Sequence, residues 1–131
     1  MAASIQTLII ESRLSSLDLL ARMLNSNGHG VRAIQKRIPS PEDWLTAELV
    51  IVEVASSEDA NQLVKAIQRG VGVIAALANP IFLQEVLDLE VDALVAAPYD
   101  AVRLLKAIEK IRKGERNQNL SGRVDSVLHL H

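Results

Sequence analysis

The sequence predicts an α/β protein in which five parallel strands alternate with five helices. Short apolar runs of strand length alternate with longer amphipathic segments along most of the chain. Apolar residues make up 49% of the 131 residues and aromatic residues only 2%, so the core must be aliphatic. Aliphatic cores suit parallel sheets that helices cover on both faces. We therefore expect a doubly wound (βα)5 sheet with strand order 2-1-3-4-5.

Five apolar runs predict the strands. The clearest is Leu49–Val54, which is nearly continuous and rich in β-branched residues, as expected for a strand that is buried on both faces. The other predicted strands are residues 5–10, 31–34, 71–77 and 93–97.

Capping residues and apolar spacing predict the helices between these strands. Apolar residues at helical spacing indicate a first helix over residues 14–24. The later helices are expected to begin after Ser40, Ser56 or Ser57, Asn79 and Asp100. Together these elements define one domain over residues 4–114. Residues 115–131 are expected to be a linker, a C-terminal tail or the start of a truncated helix.

Composition and charge exclude several classes of function. A net charge of −2 and a pI near 5.9 argue against direct nucleic-acid binding by this segment. The absence of cysteine excludes thiolate metal sites and cysteine nucleophiles. No apolar stretch reaches the roughly 20 residues of a membrane helix, and the N-terminus lacks a secretory signal pattern. We therefore expect a cytoplasmic protein that does not contact the membrane.

Acidic residues follow two of the predicted strands at the edge where this fold class usually places its functional crevice. Glu11 and Ser12 follow the first strand, and Glu53 ends the third. Two converging carboxylates could bind a cation. Alternatively, they are acidic simply because strand ends are solvated.

Four segments of the sequence resemble the strands that carry the active site of bacterial response-regulator receiver domains, which have a flavodoxin-like fold. These segments are Thr7–Ser12, Leu49–Glu53, Val73–Ala78 and Leu94–Tyr99. In receiver domains an acidic pair ends the first strand and a phosphoryl-accepting Asp ends the third. A Thr or Ser ends the fourth strand, and a Lys-Pro dipeptide ends the fifth. The resemblance covers residues 5–113 and implies a role in signal transduction.

The same alignment implies that the phosphoacceptor pocket is degenerate. Its positions are Glu11 and Ser12 for the acidic pair, Glu53 for the acceptor, Leu77 for the hydroxyl, Ala97 for the lysine, and the retained Pro98. Phosphoryl transfer needs a metal ion, an acceptor and donors to the equatorial oxygens. We therefore expect no phosphorylation, no enzymatic activity, no cofactor and no bound metal. A second possibility is that Glu53 permanently mimics a phosphoaspartate.

A receiver fold without its chemistry can still bind other proteins. The resemblance implies that the fourth helix, fifth strand and fifth helix form a surface for a homodimer or a partner regulatory protein. The candidate interface residues are Phe82, Val86, Tyr99, Arg103, Lys106 and Lys110. Asp88, Glu90 and Asp92 lie nearby in sequence and offer complementary charges.

Within the family, the run from Asn79 to Arg103 is similar to the degenerate receivers of AmiR-like transcription antiterminators. This resemblance implies a dimeric regulator of transcription that a partner protein controls. The alternative from a different class is a flavodoxin-like domain that binds a small molecule or metal ion. It would use the crevice near Glu11, Ser12, Glu53 and Asn79.

Overall fold

The computed structural model describes residues 5–11, 21, 22, 24, 25 and 31–114. Residues 21, 22, 24 and 25 are helical and belong to the first helix, α1. The predictions for Ser12, for the rest of the first helix and for residues 115–131 lie outside the described residues.

The described elements alternate between strands and helices, as the sequence predicts. The strands are β1 (Ile5–Ile10), β2 (Val31–Lys36), β3 (Leu49–Val54), β4 (Gly72–Leu77) and β5 (Ala93–Ala96). The helices after α1 are α2 (Pro41–Thr46), α3 (Ser57–Gln68), a 3₁₀ helix (Pro80–Phe82), α4 (Leu83–Leu87) and α5 (Ala101–Arg112).

All five strands form one parallel sheet with the order β2-β1-β3-β4-β5. The predicted fold class and strand order are therefore confirmed. Every residue of β3 and β4 is buried, because these central strands are covered on both faces. The edge strand β2 alternates between buried and more exposed residues, as expected for an edge that is only partly covered.

The sheet separates two apolar clusters, because successive side chains of a strand point to opposite faces. One cluster, called here the α2–α4 cluster, packs Val50, Val52 and Val54 of β3 against helices α2, α3 and α4. The other, called the α1/α5 cluster, packs Leu49 and Ile51 of β3 against α1 and α5. Each residue of β3 can thus be assigned to a face by its place in this alternation.

Several predicted boundaries shift by one or two residues. β2 continues to Lys36 instead of ending at residue 34, and β5 ends at Ala96 instead of 97. The segment after Asn79 begins as a 3₁₀ helix, in which the Asn79 Oδ1 accepts from the Ile81 N–H at 3.1 Å. Only five residues of α-helix follow it. The fourth helical region is therefore shorter and less regular than the apolar spacing predicts.

The predicted N-caps of α2 and α5 are confirmed. Ser40 Oγ accepts from the Asp43 N–H at 3.2 Å, and the Asp43 carboxylate accepts from the Ser40 N–H at 2.8 Å. This backbone hydrogen bond from Ser40 holds the pKa of Asp43 below its usual value. Asp100 Oδ1 accepts from the Val102 N–H at 2.8 Å and so begins α5.

Gly72 is the point at which α5 approaches β4 most tightly. A Cβ atom added at Gly72 would lie 2.6 Å from the Ile111 Cγ2 and 3.1 Å from the Leu49 Cδ1. Both distances are shorter than normal van der Waals contact, so any side chain there would displace the helix or distort the core.

We predict that Gly72→Ala destabilises the protein by about 1–3 kcal/mol, because it overpacks the contact between β4 and α5. In an Ile111→Ala background the closest clash is gone, so the same substitution should cost much less. Urea unfolding of the two single variants and the double variant measures both costs. Equal costs in the two backgrounds would contradict the close approach.

Candidate functional site

The C-terminal ends of the parallel strands meet at one edge of the sheet, where this fold usually carries its functional site. The register places Val52 beside Ile10, and Glu53 beside Ala76. Leu77 lies beside Ala96, so Ala97 follows directly at the end of β5. The sheet thus brings the predicted positions of β3, β4 and β5 to one edge, with Glu53 on the central strand.

Glu53 is a carboxylate buried within the sheet. Only 1% of its surface is exposed, so the interpretation of this residue as a solvated strand end is wrong. In the alternation of β3 it follows Leu49 and Ile51, which places its side chain on the face of α1 and α5. Burial of a carboxylate is costly unless hydrogen-bond donors surround it. Such donors must therefore come from within the fold.

Tyr99 supplies one of these donors. Its hydroxyl donates to Oε2 of Glu53 at 3.0 Å and lies 3.5 Å from the carbonyl oxygen of Ala76. Tyr99 is half-buried and lies between β5 and α5, directly after the cis peptide bond of Ala97 and Pro98. Tyr99 is predicted to lie on a surface, whereas the structure directs its hydroxyl inward to Glu53. No local pattern indicates this contact, because 46 residues separate the two side chains.

The positions that carry a hydroxyl and an ammonium in receiver domains are apolar here. Leu77 is 1% exposed and belongs to the α2–α4 cluster, on the opposite face of the sheet from Glu53. Ala76 is the residue of β4 that lies beside Glu53. Ala97 is exposed, as is Pro98, and its N–H donates to the Leu77 carbonyl at 3.0 Å. Neither Leu77 nor Ala97 has a side-chain donor for a phosphoryl oxygen.

The carboxylate of Glu11 is directed toward the edge strand β2. Its Oε2 accepts a hydrogen bond from Nε2 of Gln35, and its backbone N–H donates to the Lys36 carbonyl at 3.0 Å. Gln35 is a site residue that the sequence analysis misses, since a lone glutamine on a weak strand has no distinguishing pattern. Ser12, the other member of the predicted acidic pair, lies outside the described residues.

A cavity of about 690 Å³ opens beside this edge, between the ends of β1 and β2 and the start of α3. Its described lining residues are Ile10, Glu11, Arg37, Ile38, Ala55, Ser56, Ser57, Glu58, Asp59 and Gln62. Glu53 is not among them. The Asp59 carboxylate is engaged with the backbone N–H groups of Ala55 and Ser56, at 2.8 and 3.0 Å.

Within the part of the chain that the structure describes, no group of three or more His, Asp or Glu residues is placed to hold a metal ion.

The predicted interface divides into surface and core residues. Arg103, Lys106 and Lys110 are exposed on α5, and Phe82 is half-buried against the α2–α4 cluster. Val86 lies on the inner side of α4 and is fully buried, so its assignment to a surface is wrong.

The acidic residues near this surface divide in the same way. Asp88 and Glu90 are exposed, but Asp92 is 3% exposed and its Oδ2 accepts from the Val73 N–H at 2.8 Å. Asp92 therefore joins β4 to the segment before β5 and offers no surface charge. Two apolar residues beside this face, Ile81 and Val102, are 77% and 58% exposed.

None of the helices in residues 5–11, 21–25 and 31–114 that the structure describes is long and apolar enough to span a membrane. No protein-family model matches the sequence, and no curated protein matches it.

Solved structures of bacterial receiver domains share this architecture. A response regulator receiver protein from Pseudomonas putida superposes with a TM-score of 0.63 at 20% identity, covering 84% of this chain and 99% of that one. A LuxR-family two-component response regulator from Aurantimonas gives a TM-score of 0.66 at 12% identity, with 95% and 97% covered. The signal receiver domain of a DNA-binding response regulator from Colwellia psychrerythraea gives 0.65 at 14% identity, with 84% and 99% covered. At these identities the likeness establishes the fold alone. The chain has the receiver fold.

We predict that Tyr99→Phe destabilises the protein by about 1–3 kcal/mol, because it removes a donor from a buried carboxylate. In a Glu53→Leu background the same substitution should be nearly neutral, since both polar partners are then gone. Chemical denaturation of the four proteins in this cycle measures the coupling between the two side chains. A cost that is equal in both backgrounds would contradict a direct Tyr99–Glu53 interaction.

Proposed function

We propose that this chain is a degenerate receiver domain that regulates other proteins through contacts and does not use phosphorylation. It has no enzymatic activity, and its setting is cytoplasmic signal transduction or transcription control in bacteria. The observation that carries the proposal is the burial of Glu53, whose side chain is 1% exposed and accepts a hydrogen bond from Tyr99.

The burial of Glu53 argues against phosphoryl transfer. A small phosphodonor must approach the acceptor oxygen in line, and a metal ion must reach the same group. At 1% exposure Glu53 offers neither the donor nor the ion a path. Its Oε2 is also engaged by the Tyr99 hydroxyl. The acceptor position therefore serves as a fixed internal contact.

The surrounding residues support the same conclusion. The transferred group needs donors for its oxygens, yet Ala76 and Ala97 present only methyl groups at this edge. The Glu11 carboxylate, which would hold a metal ion in a receiver domain, is bonded to Gln35. If Glu53 permanently mimicked a phosphoaspartate, it would have to be recognised through the Tyr99 hydroxyl, which donates to its Oε2.

The surface at the β5 edge supports action through protein contacts. Arg103, Lys106 and Lys110 form a basic row on α5, and the exposed Ile81 and Val102 add apolar area. The exposed acidic residues Asp88 and Glu90 lie between α4 and β5, the strand at this edge. Opposite charges on one surface suit an isologous dimer, in which each patch meets its complement. The resemblance to AmiR-like antiterminator receivers favours the same surface and a partner protein that controls it.

A second candidate function is the binding of a small polar molecule in the cavity beside Glu11. The observation that favours it is the size of the cavity, about 690 Å³, which is within the range of ligand sites. Its polar lining includes Arg37, Ser57 and Gln62. Glu53 does not take part, so this function would be separate from the degenerate acceptor position.

We predict that the chain self-associates and that the double variant Arg103→Glu/Lys106→Glu weakens the dimer by at least about tenfold, through reversed charge at the interface. Sedimentation velocity over a range of concentrations measures the association. Arg32→Glu/Lys36→Glu is the matched control, because it makes the same charge change on exposed residues of β2, at the opposite edge of the sheet. A wild-type chain that stays monomeric, or a dimer that the double variant leaves unchanged, would contradict self-association through this face.

A further inference from the structure

The α2 side of the molecule carries an apolar groove that the proposed self-association does not use. The groove is a cavity of about 340 Å³, and its described lining residues are Pro39, Pro41, Trp44, Leu45 and Lys65. Leu45 is 70% exposed, and Ile38, which precedes the groove in the chain, is 84% exposed. Clustered exposed apolar side chains of this size are typical of binding surfaces. We propose that this groove binds an acidic amphipathic segment of another protein.

Trp44 forms the base of the groove and carries a polar atom that the fold does not satisfy. The side chain is 5% exposed, and its Nε1 has no hydrogen-bond partner among the described residues. An unsatisfied buried N–H is unfavourable, and tryptophan is a frequent centre of protein interfaces. Because Nε1 itself is buried, an occupant reaches this N–H only if the ring shifts. The groove therefore offers an apolar base, and the charge around it sets the polar part of the occupant.

The charge around Trp44 determines which acceptor fits. Lys65 is the one charged residue among the described lining residues, and its Nζ lies 4.7 Å from the centroid of the Trp44 ring. Arg69 donates to the Trp44 carbonyl at 3.2 Å, which adds a second cation on the same helix. Of the two acidic residues of α2, Asp43 is engaged with the Ser40 N–H and Glu42 is exposed in the first turn, outside the described lining residues. A carboxylate on the occupant would thus meet the Lys65 ammonium at the groove.

The same charge argues against a second copy of this chain as the occupant. In a two-fold contact of groove against groove, Lys65 of one copy would meet the groove of the other, whose described lining residues include no carboxylate. An acidic segment supplies that carboxylate, and the apolar side chains at Leu45 and Ile38 favour a segment with one apolar face. The inference does not rest on the proposed function. The groove is lined by residues of α2, of α3 and of the segment before α2, whereas the proposed dimer surface is at the β5 edge.

Selection of short random peptides on phage against the immobilised full chain tests this inference. The selected peptides should be rich in Asp and Glu, with Leu, Phe or Trp at helical spacing. A synthetic copy of a selected peptide should bind Lys65→Glu at least about tenfold more weakly than the wild type, and Leu45→Ser more weakly as well. Leu45→Ser should leave the midpoint of thermal unfolding unchanged, because Leu45 is exposed. Lys65→Glu should lower it only slightly, through the loss of the contact between the ammonium and the Trp44 ring.

Lys113→Glu is the matched control, because it makes the same charge change at the exposed C-terminal end of α5 and should leave peptide binding unchanged. The inference is overturned if the selection yields no binder, if the selected peptides are not acidic, or if they bind Lys65→Glu as tightly as the wild type. A loss of self-association in Lys65→Glu would overturn it too, because the occupant would then be a second copy. The proposed dimer is tested separately: if the Arg103 and Lys106 variants do not weaken the dimer, the expected binding of acidic peptides to the groove is unaffected.

Discussion

The hydrogen bond between Tyr99 and Glu53 joins the central strand of the sheet to the segment that leads into α5. A carboxylate that is 1% exposed would be strongly unfavourable at this position without such a partner. Because Tyr99 is half-buried beside Asp100, which caps α5, the position of the last helix depends on the same contact. The interaction thus joins the edge at the C-terminal ends of the strands to the packing of the sheet.

This constraint changes how a receiver fold can work. A switch needs two arrangements that differ by only a few kcal/mol, and a ligand or modification that binds one of them better. Here Leu77 is packed in the α2–α4 cluster and Glu53 is held on the opposite face, so that edge favours one arrangement. We therefore propose that binding uses surfaces that are already formed, at the β5 edge and in the groove beside Trp44.

The sequence predicts the features that depend on local chemistry. The β-branched run of β3, the Ser40 and Asp100 caps, and the order of elements all follow from short-range patterns, and the structure confirms them. The face on which each side chain lies is harder to predict. Val86 and Asp92 are predicted to lie at a surface, but the structure buries both. α4 has only five residues, too few for its apolar spacing to reveal its buried side, and the burial of Asp92 depends on its contact with Val73, 19 residues away. The Tyr99–Glu53 contact depends on packing between residues 46 positions apart, which no local pattern encodes.

The central claim is that the acceptor position has become a structural contact, and treatment with a phosphodonor tests it most directly. The full chain is incubated with acetyl phosphate and magnesium and then measured by intact mass spectrometry. The account predicts an unchanged mass at every concentration of the donor, because Glu53 is buried and neither Leu77 nor Ala97 has a side-chain donor. An increase equal to one phosphoryl group that is lost in Glu53→Gln would contradict the account.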